Sequence, residues 1–248
     1  MAPLVHAARA TGIATLTLDS PGNRNALSAA LVAALRTALA EAAADPDVRA
    51  VVLTHTGTTF CAGADLKTPC DPADFLALLR EIAELPKPVV ARVTGHVRAG
   101  GLGLLGVCDI AAAGPQSTYA FTETHLGLAP AVISMPLLPR LDPRAAARYF
   151  LTAEQFDSAE AARIGLITLR APHADELDQA LEPVLTGLRK ASPQGLAATK
   201  ALTSAAVREA LERDGARLTG LSAELFASAE AREGITARFE RRDPSWAR

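Results

Sequence analysis

The stretch RAGGLGLLGVCDI, residues 98–110, contains four glycines and follows an apolar, β-branched run at residues 88–93. Gly101, Gly103 and Gly106 match the spacing G-x-G-x-x-G, which binds dinucleotides when it joins a strand to a long helix. Glu123 stands where an acid for the ribose is expected, about 20 residues after the glycines. However, the next predicted strand begins at Asp109, so the intervening helix has two turns and is too short for a crossover to a parallel strand. The context therefore argues against a nicotinamide or flavin site.

Two other roles for these glycines remain open. Without a Cβ at Gly100 and Gly101 a ligand can approach the backbone, and the first amides of a helix are unpaired donors at its positive end. Such an end stabilises an oxyanion that forms on a carbonyl oxygen. The alternative is close helix–strand packing, which favours glycine for the same steric reason. A second segment, THTGTTFCAGADL at residues 54–66, also follows a predicted strand and turns at Gly63, so two junctions are available to direct two N–H groups at one oxygen.

Length and composition limit the class of protein. The 248 residues are 49% hydrophobic and 21% charged, which is enough to bury a large core. A net charge of −2 and an aromatic content of 4% argue against nucleic acid as a partner. We see neither a signal peptide nor an apolar run long enough to span a membrane, and the three cysteines lack C-x-x-C spacing, so neither a disulfide framework nor a zinc site is indicated. We therefore expect a cytoplasmic protein without membrane or nucleic-acid partners.

The periodicity predicts strands alternating irregularly with helices in a β-β-α rhythm, followed by a helical C-terminal part. The predicted strands are residues 5–9, 13–18, 48–54, 89–93, 109–113, 118–121 and 166–169. The predicted helices are residues 28–45 (capped by Ser28), 71–84, 137–140, 143–150, 159–164, 174–190, 193–206 and 209–229.

Three ordered motifs resemble the crotonase, or enoyl-CoA hydratase/isomerase, superfamily: PGNRNAL at residues 21–27, FCAGAD at 60–65, and GHVRAGG through CDI at 95–110. The resemblance covers nearly the whole chain. It implies an α/β fold with a crotonase-like ββα spiral body, residues 1–190, and a helical C-terminal oligomerisation region, residues 191–248. It also implies an acyl-CoA thioester as substrate, a homotrimer or hexamer, and neither a metal nor a redox cofactor, since CoA is part of the substrate.

The resemblance assigns the catalytic roles to Glu123, Ala64 and Gly100. The amides of Ala64 and Gly100 would bind the thioester carbonyl, and Glu123 would transfer the proton. The other residues expected to bind the substrate or its CoA moiety are Asn23, Arg24, Ala62, Gly63, Asp65, Leu66, Arg98 and Gly101.

One position departs from the two-glutamate hydratases of the family, which have an acid three residues after the second oxyanion glycine. Here that position is Gly103, and the segment after Glu123 looks more like a branch that includes methylglutaconyl-CoA hydratase-like enzymes. We interpret the chain as a hydratase-type lyase with one glutamate. A Δ3,Δ2-enoyl-CoA isomerase and a non-catalytic acyl-CoA-binding protein remain alternatives.

Other residues carry weaker signals. Arg98 stands where many family members have an apolar residue. It would either form an ion pair with a nearby acid, or lie on the protein surface, or direct its guanidinium into the acyl pocket, towards a carboxylate on the substrate. His125 would share a face with Glu123 if both lay on a strand. Structural roles are expected for Cys61, Asp65, Asp109 and His96.

The last predicted helices carry more apolar residues than the predicted β/α body can cover, which is the sequence argument for an interface between subunits. They are Leu211, Leu218, Leu221, Leu225 and Phe226.

Overall fold

A computed structural model describes residues 3–247, in which ten strands and ten α-helices are found. The strands are β1 (Val5–Ala10), β2 (Ile13–Leu18), β3 (Ala50–His55), β4 (Thr59–Cys61), β5 (Val89–Val93), β6 (His96–Arg98), β7 (Ile110–Ala113), β8 (Thr118–Ala120), β9 (Phe156–Asp157) and β10 (Leu169–Arg170). The helices are α1 (Ala29–Ala44), α2 (Pro72–Glu84), α3 (Gly100–Val107), α4 (Ala131–Leu137), α5 (Pro143–Thr152), α6 (Ser158–Arg163), α7 (Leu177–Lys190), α8 (Pro193–Thr203), α9 (Ala205–Ala227) and α10 (Ala229–Glu240).

The strands form two sheets. The larger has the order β1-β2-β3-β5-β7-β10, and all its pairs are parallel apart from the β1–β2 hairpin. The smaller has the order β4-β6-β8-β9, in which β4, β6 and β8 are parallel neighbours. The chain therefore enters the large sheet, then the small sheet, and then a helix, and it does so as β3-β4-α2, as β5-β6-α3 and as β7-β8-α4. This repeat is the predicted ββα spiral.

The main core lies between the two sheets and helices α1 to α4. A second, smaller core covers the opposite face of the large sheet, where Leu177 and Leu181 of α7 pack on Val52 and Val90. Because both faces of the sheet are covered, its central strands read as continuous apolar runs rather than as alternating ones.

The long helix α9 packs on α2 and α4, so its inner face belongs to the main core. Leu211 and Leu218, two of the apolar residues that suggested an interface, are 1% and 9% exposed for this reason. Leu221 is exposed, and Leu225 and Phe226 are half-buried. Subunit assembly remains a prediction that now rests on these three residues.

Several predicted elements are wrong or missing. The helix expected at residues 137–140 lies instead at Ala131–Leu137, where it is buried nearly throughout and holds Pro136 in its last turn. Strands β4 and β6 were not predicted, because three-residue strands beside glycines give no periodic signal. The helix expected at 209–229 is found as α9, which begins four residues earlier and ends at Ala227. Helix α10 was not predicted; Ser228 ends α9 and caps α10 by accepting a hydrogen bond from the amide of Ala231 at 3.0 Å.

The described residues contain no helix that is both long and apolar enough to cross a membrane.

Candidate active site

Three strand-to-helix junctions meet at one edge of the small sheet. Cys61 pairs with Val97, and Arg98 pairs with Ala120, so β4, β6 and β8 end at nearly the same level. The carboxyl ends of parallel strands face the same side, which brings the residues that follow each strand together. Those residues include Ala64, Gly100 and Glu123, so the spiral repeat itself assembles the predicted catalytic residues.

The amide N–H of Ala64 points away from Leu27, the residue with which Ala64 is paired. Leu27 forms a parallel bridge with Ala64 by donating to the carbonyl of Gly63 at 2.7 Å and accepting from the amide of Asp65 at 3.3 Å. In a parallel bridge of this kind the N–H of the middle residue faces the opposite side. Among the described residues it has no backbone acceptor. It is therefore available to a ligand.

The amide of Gly100 is the first of helix α3, where a helix leaves its N–H groups unpaired. Ala99 before it adopts φ 46° and ψ −122°, a conformation that non-glycine residues rarely take, and its carbonyl accepts from Leu102 at 2.8 Å. Backbone strain of this kind concentrates at functional sites. The turn directs the Gly100 amide towards Gly63: a Cβ built on Gly63 would lie 3.2 Å from it, and one built on Gly100 would lie 3.6 Å from the amide nitrogen of Ala64. The two amides thus border the same small space.

The remaining glycines of the quoted stretch are explained by packing. A Cβ on Gly101 would lie 2.6 Å from the carbonyl oxygen of Cys61, and one on Gly106 would lie 2.6 Å from Leu137. These glycines let α3 lie directly on β4 and α4. The G-x-G-x-x-G spacing is therefore explained by the close packing of α3, a helix of two turns.

Glu123 lies at the start of a 3₁₀ turn, Thr124–Leu126, and not on strand β8 as its predicted relation to His125 required. Its carbonyl accepts from the amides of Leu126 and Leu128 at 2.9 and 3.0 Å, which fixes the turn. The side chain is 8% exposed, and its Oε2 has no hydrogen-bond partner within residues 3–247. Burial raises the pKa of Glu123 to about 7, and its own backbone amide opposes this shift. A carboxyl group of this pKa can both accept and return a proton near neutral pH.

A second carboxylate is excluded at position 103 by a neighbouring side chain. A Cβ on Gly103 would lie 2.5 Å from Cγ2 of Ile133 and 2.9 Å from its Cβ. Ile133, in helix α4, occupies the space in which a longer side chain at 103 would have to start. The absence of an acid here is therefore built into the packing of α3 against α4.

These groups line one cavity with a volume of about 1540 Å³, large enough for a ligand longer than most drug-sized molecules. Asn23, Arg24, Asp65 and Leu66, which the sequence predicted to bind the substrate, are among the residues that line it. The cavity is also lined by side chains that the sequence did not connect with the site. They include Leu128, Val132, Ile133, Gln155, Phe226, Phe239 and Trp246.

Comparison with known proteins identifies the family to which the chain belongs. Residues 8–248 match the family model described as enoyl-CoA hydratase/isomerase. The chain belongs to the enoyl-CoA hydratase/isomerase family.

Individual relatives support the assignment of the family and of its fold. The crystal structure of an enoyl-CoA hydratase from Mycobacterium avium superposes with a TM-score of 0.92 at 53% identity, and 100% of each chain is covered. A Thermus thermophilus protein named "Putative enoyl-CoA hydratase" is 34% identical over 94% of this chain and 96% of its own. A mevalonyl-coenzyme A hydratase of Aspergillus fumigatus is 31% identical over 94% and 91%. The crotonase fold and an enzyme of this family are thereby shown.

Two of the glycines predicted to bind substrate in this enoyl-CoA hydratase/isomerase family member have a steric role at the two junctions, and their contact with a substrate stays a prediction. Gly63, at φ 88°, and Gly101 do not line the cavity but allow the two junctions to approach each other and α3 to lie on β4. Ala62 does line it. Asp65 shapes its own loop, since its Oδ1 accepts from the amides of Lys67 and Thr68 and its Oδ2 accepts from Asn23 at 3.2 Å.

Arg98 borders the cavity, but its guanidinium is already occupied. It donates to the carbonyls of Val97 and Thr118 at 2.9 and 2.6 Å, and to the Thr118 hydroxyl and the Gln155 side chain at 2.8 Å each. Four of the five N–H groups are used within the chain. The forked pairing with a substrate carboxylate is therefore not available in this conformation, and Arg98 instead ties β6 to β8.

The other weak candidates have structural surroundings. Burial raises the pKa of the Cys61 thiol to about 12, so it is not a nucleophile at neutral pH. Asp109 accepts from the amide of Val89 at 2.7 Å and pairs with buried Lys200 at 2.8 Å. His96 contacts the Thr118 hydroxyl at 2.8 Å, and His125 is exposed at the cavity.

Sequence reasoning missed Asn25, which is fully buried and holds the loop before α1. Its Nδ2 donates to the carbonyls of Thr56 and Thr59 at 3.1 and 2.8 Å, and its Oδ1 accepts from Ser20 at 2.7 Å. Asn25 adopts φ 53°. Asparagine tolerates this left-handed conformation better than most residues, so its residue type is the signal by which the sequence could have marked a turn here.

Proposed function

We propose that this chain hydrates an enoyl-CoA thioester, with the amides of Ala64 and Gly100 as the oxyanion hole and Glu123 as the base and acid. The observation that carries the proposal is the buried carboxyl group of Glu123, which has an unpartnered oxygen and lines the same cavity as two unpaired amides. An unpaired buried carboxyl is costly in a fold that uses it only for stability. A reacting ligand that supplies its partner accounts for it.

The steps follow from these groups. The oxygen of a water molecule adds to C3 of the enoyl group while the Glu123 carboxylate takes one of its protons. The electrons of the double bond move to the thioester oxygen, whose negative charge the two N–H groups stabilise, and each donor of this kind is worth about 10²–10³ in rate. Glu123 then returns the proton to C2, which regenerates the carbonyl and leaves a hydroxyl on C3.

The Gly103–Ile133 contact favours a second candidate, Δ3,Δ2-enoyl-CoA isomerisation. Ile133 occupies the space of a second carboxylate, so Glu123 would be the single acid that holds the water molecule beside C3. Hydration would therefore lack the second acid of the two-glutamate enzymes. Isomerisation needs one base, which removes a proton from C2 and returns it to C4 over the same enolate.

A panel of substrates separates the candidates. Crotonyl-CoA, a branched and a long-chain 2-enoyl-CoA, a carboxylated enoyl-CoA and a 3-enoyl-CoA would be incubated with the protein, and both 3-hydroxyacyl-CoA and shifted double bonds would be quantified. Hydration of any 2-enoyl-CoA with wild-type rates above those of Glu123→Gln supports the proposal. Double-bond migration without hydration favours the isomerase. Tight binding without turnover of any member would refute both and leave the acyl-CoA-binding alternative.

A further inference from the structure

The carboxyl group of Glu123 is not oriented by a side-chain partner. Its Oε2 is buried without a hydrogen bond from residues 3–247, so the position of the carboxylate depends on the position of its backbone turn. That turn, Thr124–Leu126, is a single turn of 3₁₀ helix, which is too short to be stable alone. Something outside the turn must therefore hold it.

The C-terminal helix α10 lies directly against this turn, and two glycines make the contact possible. Gly127 ends the turn at φ 69°, and a Cβ built on it would lie 2.7 Å from the carbonyl carbon of Glu230 and 2.9 Å from the amide nitrogen of Ala231. A Cβ built on Gly234 would lie 2.6 Å from the carbonyl carbon and oxygen of Leu126. In both cases the atom that would be struck is backbone, which cannot rotate away.

Two other helical glycines, Gly187 and Gly220, serve as a comparison. Glycine in a helix interior is disfavoured relative to alanine. At Gly187 in α7 and Gly220 in α9 a Cβ would meet nothing within 4 Å, whereas at Gly234 it would meet the turn that carries Glu123. At Gly234, unlike at those two positions, there is a steric reason for glycine.

We propose that Gly127 and Gly234 are positioning residues for Glu123: they let α10 lie against the backbone of the turn and so fix where the carboxylate stands. Because the claim concerns Glu123 as the reacting group, it rests on the proposed function. The C-terminal helix is then part of the catalytic unit of its own chain, a role beyond the oligomerisation that the sequence suggested.

Gly234→Ala tests this, with Gly220→Ala as the matched control. A displacement of about 1 Å at a reacting group costs about 10²-fold in rate, so we expect kcat to fall 10- to 100-fold in Gly234→Ala. KM should change less than threefold, and the midpoint of the pH profile should move. Gly220→Ala should keep the wild-type kcat and pH midpoint. Binding of butyryl-CoA, followed by the fluorescence of the single tryptophan, Trp246, at the cavity, shows whether the variant still forms the site.

Two further measurements test the inference if Gly234→Ala does not fold or if the wild-type protein is inactive. Should Gly234→Ala not fold, Ser228→Ala removes only the cap of α10, whose first turn contacts Gly127, and a fall in kcat of two- to tenfold with unchanged KM is expected. Should the wild-type protein turn over no substrate, the titration of Glu123 by NMR still tests the contact, because its midpoint should shift in Gly234→Ala and not in Gly220→Ala. Wild-type kcat and an unshifted Glu123 titration in folded Gly234→Ala would overturn the inference.

Discussion

The two halves of the site are held in place by different means. The oxyanion half, Ala64 and Gly100, is made of backbone amides fixed by parallel strands and by the bridge between Leu27 and Ala64. The carboxylate half, Glu123, sits on a short turn that lies against α10, more than 100 residues further along the chain. Strand register brings all three residues to one edge of the small sheet, but only the carboxylate half depends in addition on contact with the distant helix α10.

This difference separates the expected consequences of mutation. Side-chain changes near the amides leave the donors in place, since the donors are backbone, and only an added Cβ at a glycine reaches them. The carboxylate has one chemical group to lose and a remote helix to depend on. The two halves also differ in pH dependence, because amides do not titrate and Glu123 does.

The largest effect is expected from Glu123→Gln, which removes the proton carrier and keeps the shape. The value of kcat should fall by about 10³ or more while substrate still binds, since a positioned general base contributes about 10²–10⁴. Steady-state kinetics on the preferred enoyl-CoA would measure this, with exposed Glu209→Gln as control. Activity within tenfold of wild type would remove Glu123 from the mechanism.

The same variant should be more stable than wild type at high pH. Burial raises the pKa of Glu123 from 4.5 to about 7, so the folded protein binds this proton more tightly than the unfolded chain. The free energy of unfolding therefore decreases as the pH rises from about 4.5 through about 7, and the loss levels off above that. At about 1.4 kcal/mol per pKa unit, Gln should stabilise by up to roughly 3 kcal/mol at pH 8 and by little at pH 4.5. Urea unfolding at both pH values checks the sign; a gain at pH 4.5 but none at pH 8 would contradict it.

Gly63→Ala tests the oxyanion half, because the added methyl group would displace the two amides. The new methyl would stand 2.8 Å from Cβ of Ala99 and 3.2 Å from the Gly100 amide at a φ of 88°, so both junctions must move. We expect kcat to fall by about 10², the worth of one misplaced donor. The pH midpoint should stay where it is, unlike in the variants of the carboxylate half. Gly187→Ala, in open space, serves as the control, and a shifted midpoint in Gly63→Ala would mean that the two halves are not separate.

A smaller change is expected in kcat/KM of the wild-type protein as the pH is varied. If Glu123 must be ionised to accept a proton, kcat/KM should rise about tenfold per pH unit below pH 7 and become constant above it, since the pKa of Glu123 is about 7. Initial rates between pH 5 and pH 9 would show this. A profile that is flat across pH 6 to 8 would indicate that Glu123 does not titrate in the free enzyme.

The smallest and least selective effect is expected from Arg98→Leu. The structure uses this guanidinium to join β6 to β8 and Gln155, so its loss should lower stability by about 1–3 kcal/mol through unpaired carbonyls. The ratio of kcat/KM for a carboxylated over a plain enoyl-CoA should not change. A loss confined to the carboxylated substrate would restore Arg98 as a substrate-binding residue.

The sequence by itself determined much of this protein. The motifs around Ala64 and Gly100 predicted the two junctions, and the apolar periodicity located β5 and the helices α2 and α5 to within a few residues. These features are local: a glycine turn after a buried strand, or a capped amphipathic helix, is written in consecutive residues and needs no distant partner.

What only the tertiary structure decided depends on residues far apart in sequence. Ile133 at Gly103, Gln155 on Arg98, and α10 against the turn of Glu123 join segments whose side chains give no sign of one another. The physical reason is steric and electrostatic: whether a glycine binds an anion or admits a neighbouring helix, and whether a carboxyl has a pKa near 4.5 or near 7, is set by the atoms that surround it in the folded state.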